Sequence, residues 1–159
     1  GRIVGRRVIG GGVFHRRIGF DTIDSLLVVR GESKRSFRFG IGIDLKQPMH
    51  DAEELMSGPL VSSHQAKPKS SPTGWLFHLD ARNLVVTSWE PLPDQSGLRL
   101  RVLETSNRAT KAHLSAVRPI QQAAQTDLQG NSVVECRIED EKAVLEIAAN
   151  EWVQFDVVW

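Results

Sequence analysis

A second cysteine is missing from this chain of 159 residues: Cys136 stands alone. That excludes an intrachain disulfide and any zinc cluster built on cysteines. Its place in VVECRIE, in phase with Val134 and Ile138, marks a small buried apolar residue and not a reactive thiol. A surplus of either charge is missing too. Twenty Lys and Arg against nineteen Asp and Glu leave a formal charge of +1, too weak a field to gather nucleic acid or an anionic membrane, so neither partner is expected. No apolar run approaches the ~20 residues that a membrane-spanning helix needs. The opening GRIVGRRVIGG lacks the apolar segment of a signal peptide.

Catalytic signatures are equally scarce. No serine sits in a G-x-S-x-G elbow, and no histidine has an evident partner. The early glycines lack the strand-to-helix G-x-G-x-x-G context and the G-K-[ST] ending of a phosphate loop, which leaves a glycine-rich bend. A glycosidase needs two carboxylates facing across a cleft. Glu53, Glu54, Asp80, Glu90, Asp94, Glu104, Asp127 and Asp156 are available, but nothing in the sequence pairs them. His78 and Asp80, two apart in a strand, share a face, and His-x-Asp supplies two ligands in some metal sites. Solvent-facing strand positions explain them more simply, and His15, His50, His64 and His113 lie in unrelated contexts. No catalytic residue and no metal ligand is assigned. Arg2, Arg6, Arg7, Arg16 and Arg17 make the N-terminal stretch basic, as solvated strand faces commonly are.

What the sequence does contain is period-two patterning, the mark of half-buried strands. SLLVVR (25–30) and SFRFGIGIDL (36–45) are separated by Gly31-Glu32-Ser33 in hairpin fashion. Phe37, Phe39, Ile41, Ile43 and Leu45 share one face, with Gly40 and Gly42 on the other, where missing side chains mark a bend or a close approach. PMHDAEELMSGP (48–59) is the one helix candidate, opened by Pro48 and closed by Gly58-Pro59. SSHQAKPKSSPTG (62–74) predicts a flexible loop or a joint between two halves. Strands then follow at 75–80 and 84–91. Over 98–116 a hairpin is expected, with Leu98, Leu100 and Val102 inside and Arg99 and Arg101 outside. Further strands are expected at 122–128, 133–139, 142–148 and 152–159. Short strands at such spacing, with at most one short helix, predict an all-β antiparallel sandwich, read as a single domain over 1–159. Residue 1 is Gly, and alternation starts almost at once; the expectation is a fragment cut from a longer polypeptide at its N-terminus and natural at its C-terminus.

The tryptophans are the binding candidates. Trp75, Trp89 and Trp152 can stack on sugar rings if exposed, because an aromatic face suits the C–H face of a pyranose. Core or interface packing is the competing role. Trp159 and Phe155, in phase with Val153 and Val157, are expected inside, and Trp152 on the opposite face with Gln154 and Asp156.

FHLDARNLVVTSWEP, GLRLRVLETSNRATKAHLSAVRPI, AAQTDLQGNSV and AVLEIAANEWVQFDVVW together resemble the C-terminal β-sandwich region of glycoside hydrolase family 38, the α-mannosidases. The matching features are an R-x-L-E-T strand (Arg101 to Thr105), a polar turn (Asn107-Arg108), Arg118-Pro119, Thr126-Asp127 to Gly130, and a closing strand from Glu151 to Val157. They cover the second half of the chain well and the first half loosely, through FRFGIGIDL. Asn107 stands where the family commonly has glycine, and asparagine also tolerates a left-handed turn. The resemblance implies a non-catalytic module, inactive alone, that packs against the N-terminal catalytic domains of its own chain and helps to shape a cleft for mannose-containing glycans. It places zinc and the nucleophile in those absent domains. The family's His-x-Asp-x-x-Trp segment has no counterpart here, since Arg82-Asn83 follow His78-Leu79-Asp80. The alternative is a self-sufficient carbohydrate-binding module that uses Trp75, Trp89 and Trp152.

Overall fold

Alternation sends successive side chains to opposite faces of an extended chain, and the computed structural model of the protein is built mainly from such strands. It describes residues 6–10, 14–20, 22–26, 28, 30, 31, 33, 36–57, 61 and 74–159. Contacts divide the chain into two compact units, Gly1–Ser63 and His64–Trp159. Of the segment read as a loop or joint, only Gly74 is among the described residues.

The first unit holds β1 (Arg6–Gly10), β2 (Phe14–Ile18), β3 (Thr22–Leu26), β4 (Phe39–Ile43) and α1 (Pro48–Met56). β1 pairs with β4 and β2 with β3, both antiparallel. The expected strand at 25–30 is corrected on two counts: it ends at Leu26, and its partner is β2 and not 36–45. The short connection through Gly19, at φ 70°, closes β2 on β3 locally, and a tight glycine turn favours that nearest pairing. The apolar face of β4 also departs from expectation, because Phe39, Ile41 and Ile43 are exposed while Gly42 is buried. Leu55 of α1 packs where a Cβ on Gly40 would stand, and Leu45 does the same at Gly42. The glycines admit side chains at close range. The helix starts on Pro48, as read, where a missing N–H costs nothing, and ends by Ser57.

The second unit contains β5 (Phe77–Leu79), β6 (Leu84–Pro91), β7 (Gly97–Glu104), β8 (Thr110–Ala116), β9 (Gln122–Thr126), β10 (Ser132–Glu135), β11 (Ile138–Glu139), β12 (Lys142–Ile147) and β13 (Trp152–Val158). They form a five-stranded sheet, β10-β9-β13-β7-β6, and a four-stranded sheet, β11-β12-β8-β5, with every pairing antiparallel. Leu98, Leu100, Val102, Val153, Phe155 and Val157 of the larger sheet share one core with Ala112, Leu114, Ala143, Leu145 and Ile147 of the smaller. Burying each Leu or Phe is worth about 2 kcal/mol. This is the sandwich-like all-β architecture that the alternation predicts.

Two strand readings need correction here. β7 and β8 do not form a hairpin; they lie in different sheets, and the turn at Asn107 (φ 57°) carries the chain from one layer to the other. The segment 133–139 is not one strand either. It breaks at Cys136-Arg137 into β10 and β11, which also belong to different sheets. Alternation reports which face is apolar and is silent on which sheet a strand joins.

Candidate functional site

The outer face of the five-stranded sheet is laid out by register. Glu90, Arg99, Asp156 and Ala124 stand side by side in one row, and Ser88, Arg101, Gln154 and Thr126 in the next. Arg99 grips Asp156 with two bonds, Nε to Oδ1 and Nη2 to Oδ2, both 2.7 Å. That pairing raises the pKa of the guanidinium above its ordinary value, against the opposing effect of burial. Arg101 Nε donates to Gln154 Oε1 at 2.9 Å. Gln154 in turn donates to Thr126 Oγ1 at 2.9 Å and to the Asp127 carbonyl at 2.7 Å.

Gln154 alternates as an outward residue yet is only 2 % exposed. The turn after Thr126 supplies one of its hydrogen-bond acceptors. The Asp127 carboxylate accepts from the Asn131 side chain at 2.8 Å and from the N–H groups of Asn131 and Gln129 at 2.9 Å, which hold it below the usual carboxylate range. Gly130, at φ 90°, completes the turn, and a Cβ there would strike the Arg99 guanidinium. The T-D-x-x-G segment is thus a cover for the Arg99–Asp156 pair.

Glu104 is the most consequential polar residue. Its side chain is 1 % exposed and forms no ion pair among the described residues. Oε1 accepts from Asn83 Nδ2 at 2.8 Å and the Ser106 N–H at 2.7 Å. Oε2 accepts from the N–H of Arg108 at 3.1 Å and of Asn150 at 2.9 Å. Burial alone would raise its pKa, but these donors outweigh it and bring the carboxyl down to about 2, because each favours the ionised form. Asn83 also reaches Thr110 Oγ1 at 2.6 Å, and Asn150 Nδ2 donates to Asn107 Oδ1 at 2.8 Å. Glu151 closes the neighbouring turn by accepting the Ala148 N–H at 2.6 Å. One carboxylate therefore ties three segments at one end of the sandwich. A group held ionised this strongly is a poor proton donor near neutral pH.

The three tryptophans are all accessible: Trp75 is 56 % exposed, Trp89 53 % and Trp152 45 %. They do not form one platform. Trp89 aligns with Leu100 in the inward-facing register and meets Phe77 edge to face, ring centroids 6.4 Å apart, where the edge strands of the two sheets approach. Trp152 aligns with Leu103 in the outward register. Its Nε1 donates to Thr87 Oγ1 at 3.1 Å, and the Arg101 guanidinium lies 5.7 Å from its ring centroid. Thr87 is the extra residue of a bulge in β6. Trp159 packs against the core as read.

Asp80 does not join His78 as a ligand pair. Strand pairing sets Asp80 against His113, with Oδ2 2.8 Å from Nδ1 and Oδ1 accepting the His113 N–H at 2.8 Å. Burial opposes ionisation of Asp80, but these contacts lower its pKa. Glu139 Oε2 lies 3.7 Å from His113 Nε2 and its Oε1 2.7 Å from Arg137 Nε. Sequence reading missed this contact because it depends on β5 pairing with β8, and 33 residues separate the two side chains. Among the described residues no three His, Cys, Asp or Glu are disposed to hold a metal ion. Of the acids weighed as a glycosidase pair, Asp94 binds Ser96, and Asp80, Glu104, Asp127 and Asp156 are engaged as described. No protein-family model matches the chain, and no curated protein matches it.

Proposed function

We propose that the chain is the C-terminal, non-catalytic β-sandwich of an α-mannosidase-like glycoside hydrolase, which supports the catalytic domains of its parent and helps to shape their carbohydrate cleft. One observation carries the reading. The residues that bear the resemblance are those the sandwich uses to hold itself together: Glu104 with Asn107 and Glu151 at one end, and Thr126, Asp127 and Gly130 over the Arg99–Asp156 pair. Residues bound into turns serve geometry, and the hydrolytic chemistry is assigned to the parent's zinc-binding domain. The chain contributes no step to it. Incubation of the purified chain with a nitrophenyl α-mannoside, with and without added zinc, tests this. No turnover above buffer is expected; zinc-dependent hydrolysis would overturn it.

The half-exposed tryptophans favour a second reading, a module that binds carbohydrate by itself. The split of Trp89 and Trp152 between opposite faces of one sheet rules out a platform that uses both of them. Titration with mannose-containing oligosaccharides, followed by intrinsic fluorescence in Trp75→Ala, Trp89→Ala and Trp152→Ala, identifies the ring. No response in the unmodified chain excludes the reading.

A further inference from the structure

The sandwich is unfinished on one side. β10 is the last strand of the five-stranded sheet and has no strand beyond it among the described residues. Facing it, β11 pairs with Lys142 and Ala143 of β12, and beyond Val144 that edge has no partner strand among the described residues. Val144 sends its N–H to the Arg137 carbonyl at 2.8 Å, away from β8. Polar backbone groups alternate sides along an antiparallel strand. Glu146, two residues on, therefore turns its N–H and C=O to the same side, where no strand among the described residues receives them.

Between these edges lies a cleft of about 270 Å³ with Val134, Cys136, Val144 and Phe155 along it and Glu135 and Glu146 among its polar lining. Val134 in its lining is exposed, as is Val133 next to it in β10. Two carboxylates face one cation in its lining. Arg137 also borders the cleft but is tied to Glu139 at 2.7 Å. Among the described residues Glu135 accepts only a 3.5 Å contact from Ser132, and Lys111, opposite Glu146 in register, makes no ion pair with it. Glu135 and Glu146 thus flank a slot of mixed apolar and polar lining beside the open edge of β10 and the unpaired end of β12. Edge strands with free polar groups accept a further strand, alternate side chains of the newcomer entering pockets.

We propose that this side receives an extended, lysine- or arginine-bearing segment of a partner polypeptide, which pairs with the free N–H and C=O of Glu146 on β12, lays an aliphatic side chain in the cleft and sets its cations against Glu135 and Glu146. The inference stands independently of the mannosidase reading.

The probe is a fluorescent seven-residue peptide, blocked at both ends, that alternates lysine with valine or leucine. Its control replaces each lysine by glutamate. Anisotropy is measured on the whole chain, together with the rate at which iodoacetamide alkylates Cys136. The basic peptide is expected to bind, the acidic one to bind about tenfold or more weakly, and the bound peptide to slow alkylation of Cys136 by a similar factor. Glu135→Lys with Glu146→Lys should invert the preference, a gain that loss of fold cannot mimic. Glu135→Gln with Glu146→Gln should abolish the preference. No binding, equal binding of both peptides, or binding that leaves Cys136 alkylation unchanged would overturn the proposal.

Discussion

The backbone N–H of Asn150 donates to Glu104 Oε2 at 2.9 Å across 46 residues of sequence. The bond joins the turn before β13 to the end of β7, so Glu104 acts on the assembly of the sheets and not on one turn alone. Removing it as Glu104→Ala strands four donors in a site with little water, each costing about 1 kcal/mol or more. A loss of about 4 kcal/mol in urea unfolding is expected. Glu104→Gln, which keeps the shape but turns an amide against N–H donors, should cost about 2 kcal/mol.

Acid should unfold the sandwich through the same residue. The folded carboxyl at about 2 lies below its ordinary 4.5, so its contribution is complete above pH 4.5 and is lost as pH falls from there toward 2. The gap corresponds to about 3 kcal/mol at roughly 1.4 kcal/mol per pH unit. Asp80, Asp94 and Asp127, also lowered from 3.8, act in the same sense at the lower end of that window. Stability measured against pH should fall across this range, and Glu104→Gln should flatten the curve there.

Gly97 offers a packing test. A Cβ at this position would collide with the Val157 carbonyl, a backbone atom of the partner strand that cannot rotate away. Gly97→Ala should destabilise by about 3 kcal/mol. Gly74→Ala, with open space around it, should change stability by less than about 0.5 kcal/mol. Thermal unfolding of the two variants separates these outcomes.

The Arg99–Asp156 pair is four-fifths buried at both side chains and bidentate. Arg99→Lys loses the second bond and should cost about 1 kcal/mol. Asp156→Asn should cost about 2, because it leaves the guanidinium covered without its anion. A double-mutant cycle in urea should give a coupling of about 1 to 2 kcal/mol; additivity would show that the covering turn, not the pair, holds the face together.

Much of this fold is written in alternation. Period alone sends Leu98, Leu100, Val102, Val153, Phe155 and Val157 inward, and all are buried. Alternation does not encode pairing, which is why 98–116 reads as a hairpin although β7 and β8 occupy different sheets. It also cannot register an overlying turn: Gln154 reads as exposed and is covered. For β4, solvent meets the large side chains because Leu55 and Leu45 fill the glycine face, a contact that needs the third dimension. At the candidate site, Trp75, Trp89 and Trp152 are exposed, but the division of Trp89 and Trp152 between faces depends on strand register and on the bulge at Thr87. His113 beside Asp80 depends on the same kind of long-range pairing. Glu104 appeared only as one acid among many, since its role is set by backbone N–H groups that have no signature in residue identity.

The account rests on Glu104 being an ionised clamp for backbone groups and not an acid poised for chemistry. Carbon-detected nuclear magnetic resonance of its side-chain carboxyl, followed from neutral pH into acid, tests this directly. A midpoint near 2 is the predicted result; a midpoint at or above the ordinary 4.5, as a buried proton donor would show, would contradict it.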